Sequence, residues 1–223
     1  MITLSDITYG YGGNDLFKGV DLELTPGSFH FLTGPSGAGK TTLMRLCYLD
    51  LVPTFGAVSV FGRDAATLDR DGIALTRRRI GVVHQDCKFV DHLSIRDNVA
   101  LPLEVAGEPP APENLSELLS WVGLSERADA RPSELSGGER QRAALARALI
   151  MSPDVILADE PTGNVDWEMS QRLLTLLAEL NRLGKAVLIA THDLNLIRTA
   201  KSMVSARVLR IRDGSLQLAG ADL

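Results

Sequence analysis

Residues 34–41, Gly34-Pro35-Ser36-Gly37-Ala38-Gly39-Lys40-Thr41, have the composition and spacing of a phosphate-holding loop. Glycines let backbone N–H groups close around phosphate oxygens with no side chain in the way. Lys40 then reaches the outer phosphates of a nucleotide. The Thr41 hydroxyl is a ligand for Mg2+, and Thr42 belongs to the same nucleotide-binding set. Far downstream, Asp159 and Glu160 end the apolar run Val155-Ile156-Leu157-Ala158. A strand that delivers two carboxylates at its C-terminal edge sets them beside the glycine loop of a parallel sheet. There Asp159 serves the Mg2+ shell and Glu160 polarises the attacking water. Between these motifs lies a second glycine-rich stretch, Leu135-Ser136-Gly137-Gly138-Glu139-Arg140-Gln141. Ser136, Gly137 and Gly138 open a helical pattern, and free N–H groups plus a hydroxyl at a helix start form an anion site. Two anion sites so far apart can hold one nucleotide between two copies of the chain. A head-to-tail twofold homodimer in the nucleotide-bound state is therefore expected.

These residues need a scaffold of strands running into loops and helices. Residues 28–33 form the strand entering the glycine loop, and residues 40–49 the helix leaving it, with Leu43, Leu46 and Cys47 at helical spacing. Residues 80–84, 155–159 and 186–190 are short apolar runs of the kind buried in parallel sheets. Residues 2–8, 20–24 and 57–61 read as further short strands, and the hairpin ends suggest an antiparallel annex. Asp213-Gly214 marks a hairpin between 204–212 and 215–218. Helices are expected over 94–105, 113–122, 138–151, 167–183, capped by Gly184, and 193–200. The expected class is α/β: one domain over 1–223, with a catalytic core and β annex over 1–85 and 134–223. A helical insert occupies 86–133, with a proline cluster at 107–112 as its connector.

The chain has 223 residues and a net charge of −5, so no general basic field draws nucleic acid. Arg77, Arg78 and Arg79 read as a solvated helix end. Cys47 and Cys87 lack metal-ligand spacing and read as buried, reduced thiols. No basic segment followed by an apolar run opens the chain, and no stretch approaches the roughly 20 apolar residues of a span. A membrane role is expected to come through a partner.

Over essentially its whole length the sequence resembles the nucleotide-binding domain of ATP-binding-cassette ATPases. That resemblance implies the P-loop NTPase fold, ATP and Mg2+ as cofactors, and Mg-dependent ATP hydrolysis. It implies that Tyr11 stacks on adenine, with Tyr9 as its rival. Gln85 becomes the loop glutamine that senses Mg2+ and water and faces an integral membrane partner. Ser136 and Gly138 clasp the γ-phosphate held by the opposite subunit. Asn164 and Asp166 lie in a loop crossing the dimer interface, and His192 meets the γ-phosphate. His30, His84 and His92 take structural roles. Phe89, Val90 and Leu93 either form a groove for a partner helix near Gln85 or pack the insert. Among the branches of the family, FLTGPSGAGKTTL, PLEVAG, LADEPTGNVD and LNRLGKAVLIATHDLNLI are most similar to the one serving bacterial cell division at the cytoplasmic face of the inner membrane. The lipoprotein-release and macrolide-efflux branches share the same motifs. Two other expectations stand beside these, a soluble non-transport ATPase and a nucleotide-gated scaffold.

Overall fold

The structure, a computed structural model, describes residues 1–108, 111–163 and 165–219. The chain opens with β1 (Ile2–Tyr11), β2 (Asn14–Leu24) and β3 (Phe29–Thr33), then α1 (Lys40–Cys47), β4 (Phe55–Val60), β5 (Arg63–Asp64), α2 (Arg70–Arg78) and β6 (Ile80–Val83). It continues through α3 (Ile95–Ala106), α4 (Pro112–Trp121), α5 (Gly137–Leu149), β7 (Val155–Asp159), α6 (Trp167–Arg182) and β8 (Ala186–Ala190). It closes with α7 (Leu194–Met203), β9 (Ala206–Arg212) and β10 (Ser215–Leu218). An antiparallel annex has the order β2-β1-β4-β5, and the main sheet has the order β10-β9-β3-β8-β7-β6. All pairings in the main sheet are parallel except β9 with β10, where Asp213 and Gly214 both turn through positive φ.

The central strands bury both faces, and side-chain alternation divides them between two cores. Leu32, Val155, Leu157, Leu188 and Ala190 face α1 and the annex. Phe29, Phe31, Ile156, Ala158, Val187 and Ile189 face α5, α6 and α7. A third cluster joins Ile95, Val99, Leu115 and Leu119 of α3 and α4 to Ala143 and Ala146 of α5. The helix beginning at Ser136 therefore packs on the main sheet and on the α3–α4 layer at once.

Local chemistry sets the ends. Ser94 caps α3, Asp166 caps α6, Asp193 caps α7, and Gly184 follows α6 at φ 90°. The annex strands run longer than the sequence pattern shows, because register shifts between Leu4 and Gly10 break the alternation. The expected helices keep their places with ends moved by a few residues, and the connector residues Pro109 and Pro110 lie outside the described residues.

The arginine cluster is a helix end with Arg77 and Arg79 exposed, as expected, and it also makes bonds that the sequence does not show. It ends α2, whose start is capped by Asp69. Arg77 donates to the Tyr48 and Leu49 carbonyls at 3.1 and 2.8 Å. Arg79 bonds Asp154 at 2.7 Å and lies 3.7 Å over the Phe61 ring. Two of the three arginines thus pin neighbouring elements while remaining exposed to solvent. Cys47 is buried as expected, whereas Cys87 is only half-buried; both are free thiols.

Candidate active site

The C-terminal ends of β3, β7 and β8 open onto one cavity of about 790 Å³. Tyr11, Gly34, Pro35, Ser36, Gly37, Gly39, Lys40, Thr41, Thr42, Gln85, Asp159, Glu160 and His192 line it. This position outside the carboxyl ends of parallel strands is where open α/β sheets bind ligands. No side chain caps α1 and its first turn carries no carboxylate. Its leading N–H groups are therefore open to an anion. Gly39 precedes the helix at φ 103°, and a Cβ there would lie 2.6 Å from the Phe17 ring. The loop can hold this shape only with glycine at that position. Lys40 Nζ meanwhile donates to the Gly34 carbonyl at 2.9 Å and the Pro35 carbonyl at 3.3 Å, holding its charge at the mouth of the loop.

The oxygen set beside Lys40 suits Mg2+. The Thr41 hydroxyl donates to Asp159 Oδ2 at 2.5 Å. Burial is the largest influence on Asp159 and pushes its carboxyl above the usual range; the Thr41 bond opposes this, and nearby Glu160 adds to the rise. A cation at this point would offset that cost. Among the described residues no group of three or more His, Cys, Asp or Glu could hold a metal. A site of few protein oxygens is what Mg2+ takes when phosphates and waters complete its shell.

Glu160 follows β7 with φ 47°, a conformation that costs a non-glycine residue about 1–3 kcal/mol and concentrates at functional sites. Its N–H donates to Ala190 at 2.9 Å and its carbonyl accepts from Gly163 at 3.1 Å, which fixes the turn. Its carboxylate Oε1 lies 2.9 Å from His192 Nδ1.

Tyr11 is half exposed at the cavity mouth, with Tyr9 packed edge-on against it at 5.2 Å. Tyr9 also packs on the core, so of the two Tyr11 is the ring that faces the cavity. His84 packs edge-on to Tyr48, His30 is buried in β3, and His92 is exposed. Phe89 is wedged against two cores under the Arg147 guanidinium, while Val90 and Leu93 are partly buried.

Some expected residues stand elsewhere. Ala38 is absent from the cavity lining: it packs against the core beside α1, and its N–H donates to the Pro35 carbonyl at 3.1 Å. Asp166 does not line the cavity; it accepts from Met169 N–H at 2.8 Å as the cap of α6. Asn164 lies outside the described residues. Ser136, Gly137 and Gly138 are also absent from the cavity lining. Ser136 instead caps its own helix: it accepts from Glu139 N–H at 3.3 Å and donates to Glu139 Oε2 at 2.8 Å, while its N–H meets the same oxygen. Those two bonds hold the Glu139 carboxyl below its usual range. Sequence reasoning passed over Glu139, although serine with glutamate three residues on is a capping-box spacing. It also missed Leu16 and Gly163, which line the cavity with no chemical signal of their own.

Residues 17–163 match the family described as ABC transporter. The chain belongs to the ATP-binding-cassette family. This cassette is 42% identical to the cell division ATP-binding protein FtsE of Escherichia coli strain K12, with 97% of each chain covered. It is 39% identical to FtsE of Bacillus subtilis, covering 96% of this chain and 93% of that one. The macrolide export ATP-binding/permease protein MacB of Marinobacter nauticus is 40% identical over 97% of this cassette, which spans 34% of that protein. Among solved structures, a dimeric ATP-binding cassette in a post-hydrolysis state bound to ADP and Pi superposes with a TM-score of 0.88. It shares 34% identity, with 97% of both chains covered. The fold is thus that of the ABC ATPases, and ATP hydrolysis is the activity of this cassette. Among the described residues no helix is long and apolar enough to cross a membrane.

Proposed function

We propose that this chain is the FtsE-like ATPase subunit of a membrane complex in bacterial cell division. It works at the cytoplasmic face of the inner membrane with an FtsX-like integral partner, received near Gln85 and the insert over residues 86–133. The output is a conformational signal that governs peptidoglycan remodelling, not the carriage of a solute. Support comes from relatives that carry the cell-division name at similar length.

One observation carries the mechanism. The cavity holds a phosphate loop, two carboxylates, Gln85 and His192, yet residues 136–138 stand outside its lining. A single copy therefore offers no second helix start toward the end of a bound triphosphate. A second copy, related by a twofold axis, brings its own residues 136–138 to that face and completes two sites at one interface. Bound Mg-ATP supplies the phosphoanhydride bond, and its metal offsets the charge of the phosphates. Tyr11 gives adenine a ring to stack on. Lys40 exchanges its loop carbonyls for phosphate oxygens. Thr41, Asp159 and Gln85 would hold the metal, which would draw charge from the outer phosphates. Glu160 orients the water, and His192 keeps Glu160 in place.

The test is the ATPase rate per chain against protein concentration. A rate that rises with dimer fraction is expected; an equal rate from strictly monomeric protein overturns it. The efflux reading keeps a specific support in the similarity to MacB. Rescue of an FtsE-depleted strain separates the two, since an efflux cassette leaves the division defect in place.

A further inference from the structure

Cys87 stands two residues beyond Gln85, and its thiol has two acceptors within reach. Sγ lies 3.1 Å from Gln141 Oε1 on α5 and 3.7 Å from the His84 carbonyl in its own loop. The thiol has one proton, so a full bond to one acceptor weakens the other. His84 and Cys87 bracket Gln85, so the choice of acceptor bears directly on the loop that carries it. Gln141 is 2% exposed, and its Nε2 finds no partner among the described residues. The amide therefore keeps only what the thiol gives it. Gln141 also lies on the helix whose first turn is residues 136–138, the second anion site. A second contact runs parallel to the first, because Arg147 of α5 lies 4.6 Å over the Phe89 ring.

We propose that Cys87 is a positioning residue, a latch between the Gln85 loop and α5. This rests on the assignment of Gln85 and residues 136–138 to the nucleotide. With the thiol given to Gln141, the loop and the helix move as one body. Closure of the dimer on a nucleotide then carries the loop and α5 together, because the thiol holds Gln141 more closely than the His84 carbonyl. Gln85 and Ser136 thereby engage together, although one serves its own site and the other serves the site across the interface.

Thiol labelling without nucleotide tests the latch apart from the ATPase assignment. Cys47 is fully buried, with its thiol pushed up to about 12, so it stays silent and Cys87 reports alone. Gln141→Leu removes the acceptor and should speed labelling by dithiobis(nitrobenzoate) about threefold to tenfold, the worth of one hydrogen bond. Gln141→Met repeats the test should the leucine variant melt early. An unchanged labelling rate in folded variants overturns the latch. For the coupling, Cys87→Ala should lower kcat by a similar factor with KM for ATP held, and Cys87→Ser, which keeps an O–H donor, should restore it. If serine and alanine behave alike, or if Cys87→Ala and Gln141→Leu lower kcat additively, the coupling is wrong. A dead wild-type enzyme with the expected labelling would overturn the ATPase assignment and leave the latch standing.

Discussion

Glu160 Oε1 and His192 Nδ1 lie 2.9 Å apart at the ends of two neighbouring strands, the carboxylate mostly buried and the imidazole 80% exposed. The pairing register of β7 and β8 brings Asp159 opposite Ala190, so the residues that follow each strand meet at one level. With the imidazole proton on Nδ1, His192 donates to one oxygen of Glu160. The other oxygen stays available to water, and the rest of the imidazole is exposed. The strained turn at Glu160 is what aims the carboxylate this way.

Glu160→Gln keeps the shape and one hydrogen bond but removes the base. Steady-state hydrolysis should fall by about 10²–10⁴, while nucleotide binding persists. The variant should accumulate as an ATP-bound dimer in size-exclusion chromatography. His192→Ala should slow turnover as well, with a smaller loss in binding. A Glu160→Gln protein that hydrolyses at the wild-type rate would remove Glu160 from the mechanism.

Ser136 is occupied with Glu139 in the single chain, so its release belongs to dimer closure. Ser136→Ala should cost about 0.5–2 kcal/mol of helix-cap stability and about ten- to hundredfold in turnover, the worth of a hydrogen bond to a charged group. Mixed dimers give the sharper reading. Pairing Ser136→Ala chains with Glu160→Gln chains leaves one intact composite site only if the two residues act on different nucleotides. Activity in the mixture above that of either variant alone is expected; activity no greater than theirs would place both residues in one site.

The legibility of this site follows from how far apart its parts lie along the chain. The strand, glycine loop and helix over residues 29–47 are one local unit, and their composition declares it. Asp159 and Glu160 were readable because an apolar run fixes which strand end they occupy. Orientation within a loop was not readable: Ala38 sits among anion-facing residues yet turns to the core, and Asp166 is spent on capping. Only the arginine end of helix α2 was legible, because its apolar side is thin, with Gly72 and Thr76 its buried residues and Leu75 exposed. The Asp69 cap was the available signal. The Cys87–Gln141 bond spans 54 residues, and no local pattern encodes a contact between two such distant side chains.

Asp159 should show a trade between stability and function. An acid whose folded pKa is raised burdens the fold with a costly charge at neutral pH. The burden lifts as pH falls through the folded value, because the native state takes up its proton before the unfolded chain does. Asp159→Asn removes the charge, keeps an acceptor for Thr41, and should raise the melting temperature of the nucleotide-free protein at pH 7. The difference should shrink on mild acidification, just above the ordinary aspartate range. Mg-dependent hydrolysis should be lost in the same variant, and chelation of Mg2+ from the wild type should reproduce that loss. A lower melting temperature for Asp159→Asn across the whole pH range would show that the Thr41 bond outweighs the burial.

Gly39 joins nucleotide binding to the packing of the core. An alanine there meets two penalties: φ is 103°, and its Cβ would lie 2.6 Å from Phe17 Cζ and 3.0 Å from Leu16 Cδ2. Phe17 is fully buried among β1, β2 and α1 and cannot swing aside without opening that cluster. Gly39→Ala should therefore cost about 2–4 kcal/mol, combining backbone strain with overpacking, and shift the chemical-denaturation midpoint accordingly. Gly37 makes the control, because it too has positive φ, at 78°, but a Cβ there meets nothing within 4 Å. Gly37→Ala should carry the strain alone, about 1–2 kcal/mol, and the difference between the two variants measures the Phe17 contact. Replacing Phe17 with leucine should recover part of the Gly39→Ala loss and none of the Gly37→Ala loss. Equal costs for the two alanines, with no recovery by leucine, would mean that the loop relaxes away from Phe17 and that backbone conformation alone demands glycine at position 39.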